Sequence, residues 1–352
     1  MAKVTLQTIA DRLGVSRMTV SNAFSRPDQL SDELRRRILA TAEELGYVGP
    51  DPAGRALAQG STGAVGVLLT DSLREAFTDD MATGFLAAVV EELAPTGLAL
   101  ALLTSTEREN VVPARDVGMD GALVYSCRVE SAARDWLMRR RLPMVFVDQQ
   151  AVPGIDSINV DDRGGARAAA QHLVDLGHRR IALVTLAVDG PGGMVDDPMA
   201  AAEGYPQRER ILGWLDVLKP AGVRPTVVRA ELYEDDPGTD AARLLLTGAE
   251  PPTAVLCFSD VLALGVIRTA AALGLSVPED LSVTGFDDSP VGRRGHPLLT
   301  TVHQDVAAKG RLAATALVAA IERSRSGTKQ RARHVVLPTE LIVRESTAAL
   351  PG

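Results

Sequence analysis

The segment Arg17-Met18-Thr19-Val20-Ser21-Asn22-Ala23-Phe24 carries side chains suited to recognition. Read as a helix, it turns Val20 and Phe24 to one side and Arg17, Met18, Ser21 and Asn22 to the other. A guanidinium offers a planar fork of donors, an amide sets a donor beside an acceptor, and a thioether presents a soft apolar surface. An apolar Met on an otherwise polar open face invites a partner. A second polar set follows short apolar runs: Asp148 after MVFV, Ser259-Asp260 after VLCF and Asp287-Asp288 after TGF. Carboxylates gathered in one cleft accept protons from hydroxyl or N–H groups. An Asp in such a place also serves as an ordinary helix cap or turn former, most plainly at Asp260 and Asp288. Catalytic signatures are missing: there is no GxSxG elbow, P-loop, GxGxxG or HExxH, and the five histidines are scattered.

The elements that must hold the first set are short helices. Thr5 is placed to cap a helix running to Leu13, whose Leu6, Ile9, Ala10 and Leu13 share one buried face. Gly14-Val15-Ser16 breaks it: Gly permits a tight turn, Val15 plugs the corner and Ser16 caps the next helix. A third helix begins at Ser31, has Asp32 and Glu33 in its first turn, buries Leu34, Ile38, Ala42 and Leu45, and ends at Gly46. Two short helices across a three-residue Gly-containing turn form a helix-turn-helix, whose second helix enters the DNA major groove.

Charge is distributed accordingly. The whole chain of 352 residues has a net charge of −8, but residues 1–60 hold eight basic and seven acidic residues against 29 and 38 in the remainder. Within residues 1–27 four basic residues face one acid, Asp11, so the local field favours phosphate. Cys127 and Cys257 belong to no metal-ligating or disulfide pattern, so neither a metal site nor a cofactor is expected. With no export signal and no apolar stretch of membrane-spanning length, a cytoplasmic location is expected.

The run VTLQTIADRLGVSRMTVSNAF, followed by LSDELRRRILATAEELGYVGPDPAGRALA, resembles the DNA-binding headpiece of the LacI/GalR family of transcriptional regulators almost end to end. The resemblance implies that Arg17, Met18 and Asn22 read bases. Arg17 would bond guanine O6 and N7, Met18 cover a thymine methyl and Asn22 pair with adenine N6 and N7, while solvent exposure alone also accounts for Asn22. The family commonly has Arg at that last position, so the operator is expected to differ there. Thr5, Ser16, Thr19, Ser21 and Ser31 are implied phosphate contacts, with capping a compatible role for Ser16 and Ser31. Residues 50–62 read as a hinge able to form one or two helical turns when supported. In the family a hinge Leu wedges between base steps, and Leu57 matches it. Asp51 and Gly54 replace the usual Asn and Ala, and Gly disfavours a free-standing helix.

From Val65 short apolar runs alternate with Ala-rich helical stretches, the rhythm of parallel strands covered by helices. The runs SINVDDRGGARAAAQHLVDLGHRRIALVT, RERILGW and PPTAVLCFSDVLALGVIRTAAALGLSVPEDLSVTGFDD again resemble the same family. They imply an all-α helix-turn-helix headpiece plus an α/β two-lobed, periplasmic-binding-protein-like (type I) effector domain. The expected limits are 1–49 for the headpiece, 63–160 with 288–323 for the first lobe, 161–287 with 324–345 for the second, and 346–352 for a tail. Matching positions imply effector contacts from Asp148, Arg210, Ser259 and Asp287, with Phe77 at the cleft mouth. Ser259 stands where the family usually has Asn. Acids around one Arg suit a polyol or a nucleobase, with a sugar the first expectation and a phosphorylated metabolite a further alternative. The Gly/Pro-rich stretch 187–206 reads as a mobile loop gating the cleft. The expected protein is a regulator, by expectation a repressor, not an enzyme. It binds double-stranded operator DNA as a homodimer, because the tail RESTAALPG has no leucine heptads. A solute-binding protein is the rival, and it would need an export signal.

Overall fold

The computed structural model describes residues 4–49, 51–69, 73–104, 112–126, 131–187, 191–202, 204–231, 238–328 and 331–350. They form two compact units, Met1–Gly63 and Ala64–Gly352. In the first unit α1 (Leu6–Leu13), α2 (Arg17–Ser25) and α3 (Asp32–Glu44) close on Ile9, Ala10, Val20, Ala23, Ile38 and Ala42. Gly14 turns the chain in the left-handed region at φ 68°, and Val15 packs against the core as the corner plug. Ala23 joins Val20 in the interior on α2, and Phe24 packs partly buried against that core. The ring of Phe24 lies edge-on to Tyr47 at 5.7 Å. Helix α4 (Pro52–Gln59) spans the hinge, and Asp51 Oδ1 accepts the Gly54 amide at 3.3 Å. The residue that departs from the usual Asn therefore still caps the hinge helix.

The second unit runs β1 (Ala64–Leu69), α5 (Leu73–Thr78), α6 (Asp80–Leu93), β2 (Ala99–Leu103), α7 (Pro113–Asp116), β3 (Gly121–Tyr125), α8 (Ala132–Arg140), β4 (Met144–Val147) and β5 (Asp156–Val160). It continues through α9 (Asp162–Asp175), β6 (Ile181–Ala187), β7 (Gly193–Val195), α10 (Tyr205–Leu218), β8 (Thr226–Glu231), α11 (Thr239–Leu246), β9 (Ala254–Cys257), α12 (Asp260–Ala272) and β10 (Ser282–Thr284). It ends with β11 (Thr301–Gln304), α13 (Val306–Ser326), β12 (His334–Leu337) and β13 (Thr339–Ile342). The first lobe holds a parallel sheet in the order β12-β5-β4-β3-β1-β2, and the second a sheet in the order β10-β9-β6-β8-β7. Strands β11 and β13 pair antiparallel beside them. Each sheet is buried by helices on its faces, which is why its strands read as continuous apolar runs.

Three expected boundaries are corrected. Strand β12, placed by expectation in the second lobe, pairs with β5 in the first-lobe sheet. Residues 288–304, expected in the first lobe, return along the second, because Thr284 bridges Thr300 and Asp287 bridges His303. The tail is part of the second lobe: Ser346 is fully buried and its hydroxyl donates to the Val283 carbonyl at 2.6 Å. The 187–206 stretch is also more ordered than a free loop over its described residues, since β7 pairs antiparallel with β8. Cys257 is a buried free thiol, and Cys127 lies outside the described residues. Among the described residues no helix is long and apolar enough to cross a membrane.

Helices α9 and α10 lie against each other closely enough that a Cβ on Gly213 would sit 2.3 Å from the Arg163 carbonyl oxygen. Arg163 clamps Asp216 across the same contact with two bonds of 2.7 and 2.8 Å. Gly213→Ala is therefore expected to destabilise the second unit by about 1–3 kcal/mol through overpacking. Thermal unfolding measures it, and an unchanged midpoint would show that α10 can move away freely.

Candidate nucleic-acid interface and ligand cleft

On the first unit, three of the hydroxyls named from sequence, those of Thr5, Ser16 and Ser31, cap helix starts. Thr5 caps α1 in a reciprocal pair with Thr8, at 3.3 Å from the Thr8 amide and 3.2 Å for the return bond. Ser16 Oγ accepts the Thr19 amide at 3.0 Å and lies 2.8 Å from the Thr19 hydroxyl, and Ser31 Oγ accepts the Leu34 amide at 3.4 Å. Caps of this kind fix helix entry and leave neighbouring N–H groups facing outward. Arg17 and Met18 are exposed, Met18 to 68%. Ser21 is half-buried, and its carbonyl accepts the Ser25 hydroxyl. Asn22 is not idle on the surface: its Nδ2 donates to Gln29 Oε1 at 3.1 Å, so its amide is oriented by the turn after α2. Leu57 on α4 is 87% exposed.

The second unit brings Asp148, Arg210 and Asp287 into one buried chain of charge. Asp148, just after β4, accepts Lys309 Nζ at 2.5 Å. The same ammonium donates to Gln304 Oε1 at 3.1 Å, and Gln304 Nε2 donates to Asp287 Oδ1 at 2.7 Å. Arg210 Nη2 reaches that carboxylate oxygen at 3.4 Å, Nε bonds Asp162 Oδ1 at 2.8 Å, and Nη1 donates to the Phe258 carbonyl at 2.5 Å. The guanidinium also lies over Phe286 and Phe258, 3.5 and 4.4 Å from the ring centroids. Asp148 and Asp287 both adopt left-handed backbone, at φ 53° and 110°. Non-glycine residues hold that conformation only where their surroundings enforce it, as strand-end ligand sites do.

The chain leaves unmet demand. Asp148 Oδ1 and Asp162 Oδ2 are buried with no hydrogen-bond partner among the described residues. Burial pushes Asp287 up to about 8 despite Arg210, and Asp162 up to about 6 for the same reason. Burial and then the nearby Asp148 carboxylate raise the Tyr125 phenol well above its usual range, so it stays a donor. Arg210 is raised, because the Asp162 and Asp287 carboxylates outweigh its desolvation. Such oxygens can accept hydrogen bonds from hydroxyl or N–H donors.

Ser259 and Phe77 stand apart from this chain. Ser259 Oγ accepts the Leu262 amide at 3.4 Å as the cap of α12, and Phe77 is 61% exposed on α5. Asp260 and Asp288 have structural roles. Asp260 is fully buried and receives the Ser289 amide and hydroxyl and the Thr301 hydroxyl. Asp288 is clamped by Arg293 and Arg344. Sequence reasoning did not single out Lys309, Gln304 or Asp162 as site residues. A signal existed for Lys309: it shares the buried stripe of α13 with Ala313, Leu317 and Ile321 at four-residue spacing, and a lysine there needs a buried partner.

Comparison with known proteins agrees with this geometry. Residues 5–49 match the model for bacterial regulatory proteins of the lacI family, and residues 170–347 match the periplasmic binding protein-like domain. An HTH-type transcriptional regulator of Mycolicibacterium smegmatis is 41% identical over 330 residues, covering 88% of this chain and 89% of the relative. A transcriptional regulator CelR–cellobiose complex superposes with a TM-score of 0.68 at 28% identity, covering 98% of this chain and all of the other. The Lac repressor dimer bound to operator and the anti-inducer ONPF superposes with a TM-score of 0.76 at 25% identity, covering 99% and 100%. A capped helix-turn-helix joined by a hinge to a two-lobed domain, with these likenesses along nearly its whole length, makes this chain a member of the LacI family of DNA-binding transcriptional regulators.

Proposed function

We propose that the protein works in the cytoplasm as a homodimeric repressor, with the two α2 helices on half-sites of a roughly palindromic operator and a neutral sugar controlling its hold. The DNA part of this reading rests on the open face of α2, where Arg17 and Met18 project from a helix fixed by caps at both turns. Arg17, Met18 and Asn22 read base edges, Asn22 after its amide leaves Gln29. Thr5, Ser16, Thr19, Ser21 and Ser31 position the backbone, and exposed Leu57 is the wedge. The likeness to an operator-bound Lac repressor dimer supports the same assembly.

The observation that carries the effector reading is the pair of buried carboxylate oxygens, Asp148 Oδ1 and Asp162 Oδ2, that have no partner among the described residues, beside Asp287, whose carboxyl burial pushes upward. Sugar hydroxyls supply the missing donors without adding a buried negative charge. CelR with cellobiose is a relative of the same architecture.

Arg17→Ala is expected to weaken binding to a duplex selected by the full-length protein by roughly 1–3 kcal/mol, and to change random-duplex binding much less. Equal loss on both would contradict base reading by Arg17. In calorimetric titrations across a panel of neutral sugars, at least one should bind the wild type saturably and fail to bind Asp148→Asn. A panel without binders, or binding that survives the substitution, would overturn the cleft assignment.

A further inference from the structure

A second concavity opens between the lobes, beside the ionic chain. It encloses about 530 Å³, within the range of small-molecule sites. Helix α8 and the loop after β4 wall it on the first lobe, and the start of α10 walls it on the second. None of Asp148, Arg210 and Asp287 lines it, although Gln149, the neighbour of Asp148, does. Its floor is apolar, with Phe146 and Met138, and Tyr205 stands between the lobes.

Its rim is basic. Arg134, Arg139 and Arg208 line the cavity against one acid, Asp135, which lies 3.9 Å from Arg134. Arg139 rests over the Trp136 ring at 5.2 Å. Neither Arg139 nor Arg208 has an ion-pair partner among the described residues. Three guanidinium groups against a single carboxylate, beside apolar side chains, suit a planar anionic head on a compact apolar body. The polarity is the reverse of the cleft, where buried carboxylates predominate.

We propose that this cavity is a second ligand site, for a small organic phosphate or carboxylate with an apolar body. Arg208 lies two residues before Arg210 on α10, while Arg134 and Arg139 belong to α8 of the other lobe. An anion held by both would tie the lobes together at a point separate from the sugar cleft, and so bias their arrangement as a second effector.

The test is calorimetric titration of the full-length protein with phenyl phosphate, inorganic phosphate and phenol in turn. Phenyl phosphate should bind saturably, roughly tenfold more tightly than inorganic phosphate, with phenol weaker still. The double variant Arg139→Gln/Arg208→Gln should lose about tenfold or more in phenyl phosphate affinity, keep its operator affinity without ligand, and keep the neutral-sugar response. Asp148→Asn should leave phenyl phosphate binding intact. The proposal is overturned if phenyl phosphate does not bind, if phenol or inorganic phosphate binds equally well, if the double variant binds unchanged, or if Asp148→Asn abolishes binding and so moves the anion to the cleft.

Discussion

Gln304 joins the two lobes' buried charges through a single amide. Its carbonyl oxygen accepts Lys309 from the first lobe, and its NH₂ donates to Asp287 of the second. Lys309 is 1% exposed and Arg210 4%. Cations so buried need partners within bonding distance, and removing one partner of such a pair typically costs about 3–5 kcal/mol. Any movement of one lobe against the other must therefore break or re-form bonds in this chain, which makes it a natural place for a ligand to act. A ligand shifts the balance between lobe arrangements only by as much as it prefers one of them.

The rest of the second unit positions that chain. Parallel strands deliver Asp148 and Asp287 at their carboxyl ends, where the turns to the next elements hold both in left-handed backbone. Close packing at Gly213 and the Arg163–Asp216 clamp fix α10 against α9, and so set the reach of Arg210 toward Asp162. Helix α13 packs its small-residue face against α6 and the first-lobe strands, which carries Lys309 to Asp148. The carboxylate oxygens left without a partner among the described residues are a local cost, of the kind seen where a ligand completes a site.

The headpiece was legible in the sequence because its signals are local. Cap residues, a turn glycine and one buried stripe act within a few positions of each other, and Thr5, Ser16 and Ser31 cap as their types require. The α/β rhythm was legible for strands that read as unbroken apolar runs. It failed for β5 and β8, whose DSINV and TVVRAE carry polar residues. In β5 these are buried and bonded: Asn159 and Gln149 exchange two bonds, and Ser157 meets His334. Lobe boundaries failed because a strand's sheet is decided by pairing partners far away in sequence, as β12 with β5 illustrates. Asp148, Arg210 and Asp287 were reached through resemblance, whereas Gln304 and Lys309 join them only through contacts made in three dimensions.

The most direct measurement is a double-mutant cycle on the full-length protein, combining Lys309→Met with Asp287→Asn and repeating both in a Gln304→Leu background. If Gln304 relays charge between the lobes, the two substitutions should be non-additive by about 1 kcal/mol or more in unfolding free energy, and that coupling should vanish without Gln304. Additivity within roughly 0.5 kcal/mol in the native background, or coupling that persists after Gln304→Leu, would contradict the account.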